Sequence, residues 1–288
     1  MPDSLLKIFY SNQNEHKKIY LDRFSAPFTV HLDFEIKQFN HDKPYQAFFY
    51  YNQDLVLLLE NIYTQSQTFF SIIHNVPEIV LHQFELSCLV DEVHSTTSIE
   101  GIHSTRRELK QIVDGNATST HFSSIIKKYF LLLPNSNPIL QFHSCQNVRD
   151  FYDEFAHNEV IADNPNNKLD GKLFRKDAAD ILAASGKILH RGITPEEKII
   201  EALEYSLGVL NNKEFPALIR IAIFHYLFVY IHPFYDGNGR TDRFISSCYI
   251  AEHLHYLIAL SLSVSIKQQK KKYYDLINDT DNEFNCGD

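Results

Sequence analysis

Residues 216–243 read PALIRIAIFHYLFVYIHPFYDGNGRTDR. The stretch opens on a proline and stays apolar to Ile231, which predicts a helix buried on nearly every side. Its core, Ile221 to Ile231, is too short to span a bilayer, and Arg220 and His225 stand beside or within it. The helix hands over to His232 and then to the turn Asp236-Gly237-Asn238-Gly239. From Gly239 a second helix is predicted to about Ala251. Glycine is scarce, nine residues in 288, so two of them at 237 and 239 mark a place where backbone approaches something closely.

The residue types in this turn carry chemistry. Free N–H groups at a glycine-rich helix start, with the partial positive charge of the helix N-terminus, make an anion site. Asp236, Arg240 and Arg243 fall at i, i+4 and i+7 and share one face. A carboxylate there holds Mg²⁺ through oxygen, and paired arginines clamp phosphates in bidentate fashion. His232, with an ordinary pKa of about 6.5, suits a general base at neutral pH. Together they describe a phosphoryl- or nucleotidyl-transfer site. Taken singly, each has a plainer reading: a connecting turn, two solvated arginines, a core histidine.

Outward from the turn the pattern is mainly helical. Residues 1–45 are mixed, and TVHLDFEI alternates as a short strand or an extended packing arm would. Helices are predicted over about 46–74, 77–99, 106–113, 123–133 and 149–161. A turn is predicted at 134–138, PNSNP. Residues 162–193 place KLFR and KILH between glycine turns, which reads as a hairpin or flap. Thr194-Pro195-Glu196-Glu197 signals a helix start with Thr194 as N-cap and Pro195 first, the helix running to about Leu210. A last helix is predicted over 264–277, and residues 279–288 carry no helical pattern.

Composition excludes several classes. With 44% hydrophobic and 22% charged residues the chain is neither disordered nor a coiled-coil rod. A net charge of -9 without a basic stripe argues against nucleic acid as a partner. Four widely spaced cysteines, with no CxxC, fit neither a zinc ribbon nor a disulfide scaffold. The N-terminus has no signal-peptide core, so the expectation is a cytoplasmic protein that engages no membrane. The run Lys270-Lys271-Lys272 reads as a solvated helix face, and His253 with His255 as helix surface and core.

The segment from His232 to Arg243 resembles the motif of Fic-domain proteins, His-x-Phe-x-Asp/Glu-Gly-Asn-Gly-Arg-x-x-Arg, at every specified position. The flanking PALIRIAIFHYLFVYIHPF, TPEEKIIEALEYSLGVLNN and KKKYYDLI look like the same family, so the resemblance covers about residues 95–276. It implies a mainly α fold, a Fic helical bundle with a small β-hairpin flap. It also implies transfer of AMP from Mg-ATP to Ser, Thr or Tyr hydroxyls of target proteins. His232 would be the base and Asp236 the Mg²⁺ ligand. Gly237, Asn238, Gly239, Arg240, Thr241, Asp242 and Arg243 would line the phosphates, with Arg243 at the γ-phosphate. Phe234 would anchor the loop in the core.

Residues 96–101, TTSIEG, are similar to the family's inhibitory motif Ser/Thr-x-x-x-Glu-Gly/Asn. Thr96 and Glu100 would then be the inhibitory pair, with Glu100 on Arg243, displacing the γ-phosphate's partner. The plainer reading is that Glu100-Gly101 ends a helix. Leu173, Phe174 and Arg175 stand where the family has a hairpin that docks the target, and Tyr274 where it contacts the nucleotide. The division expected is 1–120, an N-terminal helical region with the inhibitory helix at about 81–101, and 121–288, the core with loop 232–243. The implied partners are ATP, an unidentified target protein and this chain itself through self-modification; Fic proteins often dimerise, which adds a homodimer. The rival readings are another donor or removal of AMP on the same scaffold, and a nucleotide-sensing module without turnover. Relatives often continue into further helices where this sequence ends.

Overall fold

A computed structural model describes residues 3–116, 122–134, 140–182 and 185–288. All of the predicted turn at 134–138 but Pro134, and residues 183–184 of the predicted flap, lie outside these. The chain divides into two compact units, each assembled from segments remote in sequence. The first comprises residues 1–65, 180–190 and 271–288, and the second residues 66–179 and 191–270. The fold is mainly α, with two antiparallel hairpins.

The first unit begins with α1 (Leu5–Ser11) and α2 (Gln13–Phe24), then β1 (Thr29–Ile36) paired antiparallel with β2 (Tyr45–Tyr50). Thr29 faces Tyr50 and Ile36 faces Tyr45, with a register shift between His31 and Glu35. TVHLDFEI is therefore a strand. The helix expected from residue 46 starts later, because YQAFFY is rich in aromatic strand formers and has β1 to pair with. That helix is α3 (Gln53–Ile73), whose last eight residues belong to the second unit. Neither α1 nor α2 was predicted; α2 buries none of its residues and so shows no apolar stripe. Leu5, Phe48 and Cys286 form a small core, and Phe9 stacks on Phe284 at 3.7 Å. Residues 283–288, unpatterned in sequence, are thus ordered by tertiary contacts: Phe48 N donates to Gly287 O at 2.9 Å and Arg23 pairs with Asp288 at 2.6 Å.

The second unit holds α4 (Glu78–Ile99), α5 (Arg106–Val113), α6 (Ser123–Phe130), α7 (Cys145–Tyr152), a π turn (Asp153–His157) and α8 (Asn158–Asp163). The hairpin β3 (Asp180–Leu182) and β4 (Ile188–Arg191) follows in the chain and, but for Arg191, belongs to the first unit. Then come α9 (Glu196–Asn211), α10 (Ala217–Ile231), α11 (Asn238–His253), α12 (Tyr256–Ala259), α13 (Leu262–Gln268) and α14 (Lys270–Asp281), the last nearly all in the first unit. The predicted helix 264–277 is broken at Gln269 into α13 and α14. Helix α10 packs against α9 and α11, and α4 against α13, α5 and α6. Ile125, Tyr129, Val148, Phe155, Leu203, Phe224, Phe228 and Phe244 fill the space between these helices. Burying this apolar surface drives the assembly, at roughly 1.5–3 kcal/mol per large side chain. All four cysteines are free. Among the described residues no helix is long and apolar enough to cross a membrane.

Candidate active site

The turn after α10 is held from within. His232 caps α10 in the left-handed region, φ 52°, its N–H donating to Phe228 O at 2.9 Å. Phe234 is wholly buried, stacked on Tyr152 at 3.7 Å and edge-on to Phe174 at 5.5 Å. The Asn238 side chain clamps it: Oδ1 accepts from Phe234 N and Nδ2 donates to Phe234 O, both at 2.8 Å. The Asn238 amide thus shapes the loop instead of facing a phosphate. The Tyr152 hydroxyl donates to Asp236 O at 3.1 Å. Gly237 takes φ 80°, which a side chain resists, and a Cβ there would press on Tyr152 at 3.2 Å. The chain then enters α11 at Asn238, and the first turn of that helix is where the sequence places the anion site.

Arg240 is fully buried. Its Nη1 donates to Glu159 Oε2 at 3.2 Å, while Nη2 lies 3.9 Å from Asp236 Oδ1, too far for a hydrogen bond. Its Nε and Nη2 are buried without a hydrogen-bond partner, which is costly unless an anion satisfies them. Glu159 is itself oriented by Phe122 N at 3.1 Å and the Ser124 hydroxyl at 3.2 Å. Thr241 and Asp242, expected among the phosphate-lining residues, turn into the core instead. Both are wholly buried, and Asp242 Oδ2 stands 2.9 Å from His225 Nδ1 on α10. Burial raises the Asp242 carboxyl.

Arg243 faces α4. Its Nε donates to the Thr96 hydroxyl at 2.9 Å, and its Nη2 to Thr96 O at 3.1 Å and Glu100 Oε1 at 2.5 Å. Burial would raise the Glu100 carboxyl, but Arg243 outweighs it through charge and hydrogen bond and holds it below the usual range. The same carboxylate lies directly over Gly239, where any Cβ would strike it. An anion of this chain's own thus covers the N-terminus of α11. Helix α4 is fastened by groups that the sequence did not mark. Glu92, fully buried, accepts from Ser263 N at 2.8 Å and Val264 N at 3.2 Å. Burial pushes its carboxyl up to about 7 despite these bonds. Lys270, read from the sequence as part of a solvated face, donates to Ile99 O at 2.8 Å at the end of α4.

The segment carrying Leu173, Phe174 and Arg175 departs from the sequence reading. KLFR is not a strand; the hairpin strands are β3 and β4, further along. Lys172, Leu173 and Phe174 donate their N–H groups to the Glu196 carboxylate at 2.9, 2.7 and 2.9 Å. These bonds, against the effect of burial, hold Glu196 below the usual carboxyl range. Glu196 therefore binds this segment, and α9 begins after Pro195 with no side-chain cap from Thr194. Phe174 and Arg175 are wholly buried, which removes both from any docking surface. Tyr274 belongs to α14 in the first unit, while every other predicted site residue belongs to the second.

Residues 139–250 match the model of the Fic/DOC family. This segment is a Fic/DOC domain. Over 79 residues, 27% of this chain, it is 29% identical to protein adenylyltransferase Fic of Drosophila virilis, of which that stretch is 15%. Over 71 residues, 24% of the chain, it is 35% identical to the protein of the same name from Aedes aegypti, of which that stretch is 13%. The chain thus spans a small part of the length of the curated relatives it matches. The fold is similar to that of a Fic family protein from Desulfovibrio desulfuricans G20, with TM-score 0.63 and 17% identity over 84% of this chain and 71% of that one. It is also similar to a Fic domain containing signaling protein from Bacteroides thetaiotaomicron VPI-5482, with TM-score 0.52 and 14% identity over 78% and 87%. The Fic/DOC segment contains loop 232–243 and Glu159; Glu100 lies outside it.

The donor set fits a magnesium nucleotide. Mg²⁺ is bound through one or two carboxylates plus substrate phosphates. Asp236 offers one such carboxylate beside the Fic loop, its side chain 42% exposed. Among the described residues no group of three or more His, Cys, Asp or Glu forms a separate metal cage. The orphaned nitrogens of Arg240 match phosphate oxygens.

Proposed function

We propose that this chain is a protein adenylyltransferase whose Glu100 holds it in check. The observation that carries the reading is the Glu100–Arg243 pair of 2.5 Å, seated over Gly239 at the start of α11. A carboxylate in that place occupies one arginine and repels a triphosphate. Such a cover suits a place that otherwise receives an anion. With Glu100 withdrawn, Arg243, still held by Thr96, turns the edge that Glu100 had covered to the γ-phosphate, and Arg240 serves the inner phosphates. Asp236 would hold Mg²⁺ together with the phosphates, and the ion would supply charge neutralisation there. His232 takes the proton from a Ser, Thr or Tyr hydroxyl of the target. The hydroxyl oxygen bonds to the α-phosphorus, the bond to the β-phosphate oxygen breaks, and pyrophosphate leaves. The free cysteines fit a reducing, cytoplasmic setting.

The test is label transfer from α-³²P-ATP with Mg²⁺ to protein. Wild type should label weakly, Glu100→Gly strongly, and Glu100→Gly/His232→Ala not at all. No transfer by Glu100→Gly while ATP still binds would overturn AMP as the transferred group. The panel is then repeated with UTP, CDP-choline and a pre-AMPylated protein.

A further inference from the structure

Arg175 is a wholly buried cation, and its guanidinium is spent on main-chain carbonyls. Nε donates to His232 O at 2.8 Å, Nη1 to Asp177 O at 2.7 Å, and Nη2 to Ile193 O at 3.0 Å and Ile231 O at 3.3 Å. These four acceptors lie on three separate segments: the one carrying Arg175, the entry to α9, and the end of α10. A planar guanidinium can satisfy acceptors from several directions at once; an ammonium on a flexible stem cannot hold the same fork. Two of the carbonyls, of Ile231 and His232, close the C-terminal end of α10, where partial negative charge favours a cation.

His232 stands where this matters. Its left-handed backbone is a conformation that non-glycine residues resist, so the surroundings have to impose it. Phe228 O holds its N–H, and Arg175 holds its C=O. Ile193 N donates to Ile231 O at 3.1 Å, binding the second segment to the same helix end. Gly192 leaves room for this: a Cβ there would run into the guanidinium and stand 2.8 Å from His232 Cβ. We propose that Arg175 is the positioning residue of His232, fixing through the His232 carbonyl where the imidazole meets the target hydroxyl. This rests on His232 being the base. A misplacement of about 1 Å at such a group costs on the order of 100-fold in rate.

The test compares Arg175→Met and Arg175→Lys in the Glu100→Gly background. Both are measured for kcat, for KM with ATP and for the melting temperature of the full chain. Arg175→Met should lower kcat about 100-fold with KM for ATP within twofold, because the carbonyls that the guanidinium holds belong to Asp177, Ile193, Ile231 and His232 and not to the phosphate-lining residues. Arg175→Lys should recover about tenfold of that. A folded Arg175→Met whose kcat stays within threefold overturns the proposal, as does a loss carried by KM. Should Arg175→Met not fold, Gly192→Ala applies the same test by crowding the guanidinium and His232 Cβ.

A second readout separates this proposal from the reading it rests on. The ring resonances of His232 are assigned by their loss in His232→Gln and followed by NMR. If Glu100→Gly transfers nothing, the function reading fails. A His232 ring signal shifted or broadened in Arg175→Met still supports the positioning, and an unchanged signal overturns it.

Discussion

Loop 232–243 and segment 170–177 meet at His232, and they are built in opposite ways. The loop is shaped mainly by its own residues, with Arg175 and Tyr152 holding the His232 and Asp236 carbonyls from outside. Asn238 binds Phe234 four residues away, Gly237 makes the turn, and Phe234 plugs the core. The segment is held by others. Its N–H groups converge on Glu196, its arginine reaches Ile193 and His232, and its Asp170 accepts from the Tyr235 hydroxyl at 3.0 Å. A self-contained loop carries its constraints in consecutive residues. The segment has bonds of its own, Gly171 N to Phe174 O and Lys176 N to Asp170, but its anchors to the rest of the unit come from remote residues.

Mutations at these anchors break or sharpen the contrast. The largest effect is expected at Glu196→Ala, which leaves three N–H groups of the segment without their charged acceptor. A loss of about 4 kcal/mol is expected in urea unfolding at pH 7. The Glu196 carboxyl is lowered, so its contribution is present above the ordinary carboxyl value and fades as pH falls through the depressed one. The variant and wild type should therefore converge in strong acid. A loss under about 1 kcal/mol would show that the segment holds itself after all.

Asn238→Ala tests the loop from inside. It orphans a buried N–H and a buried carbonyl of Phe234, for an expected loss of about 3 kcal/mol by the same measurement. Gly237→Ala puts a Cβ on a left-handed backbone against Tyr152, with an expected loss of about 1.5 kcal/mol. If either substitution is neutral, the loop is supported from elsewhere. The smallest effect is at Tyr235→Phe, which removes the Tyr235–Asp170 bond and the acceptor for Asp177 N at 3.1 Å. These groups are partly exposed, so about 0.5 kcal/mol is expected. A larger loss would make loop and segment one cooperative piece.

The same contrast explains what was legible in the chain. The helix 217–231, the turn after it and α11 follow from proline, apolar run and glycines in sequence order. Helix α4 followed from Pro77 and an apolar stripe, and the pairing of Glu100 with Arg243 from a short motif beside a longer one; that Thr96 also accepts from Arg243 emerged only in the structure. Thr241 and Asp242 were misplaced because position in a motif does not say which face of α11 meets His225. The reading of KLFR as a strand rested on local pattern, while Glu196 determines its backbone from 22 to 24 residues away. Glu159, which orients Arg240, is one acid among many, with no spacing signal to mark it.

The sequence by itself determined the helical class, the Fic loop with its histidine, carboxylate and arginines, and the pairing of Glu100 with Arg243. These depend on apolar periodicity, on glycine's backbone freedom and on residues a few positions apart. Only the tertiary structure decided that Arg175 and Glu196 are internal fasteners, that Glu92 and Lys270 hold α4 in place, and that residues 283–288 are ordered. Each of these depends on a polar group, buried in most cases, meeting a partner across tens or hundreds of residues. Burial makes such partners obligatory, but only the packing of the elements determines which groups they are.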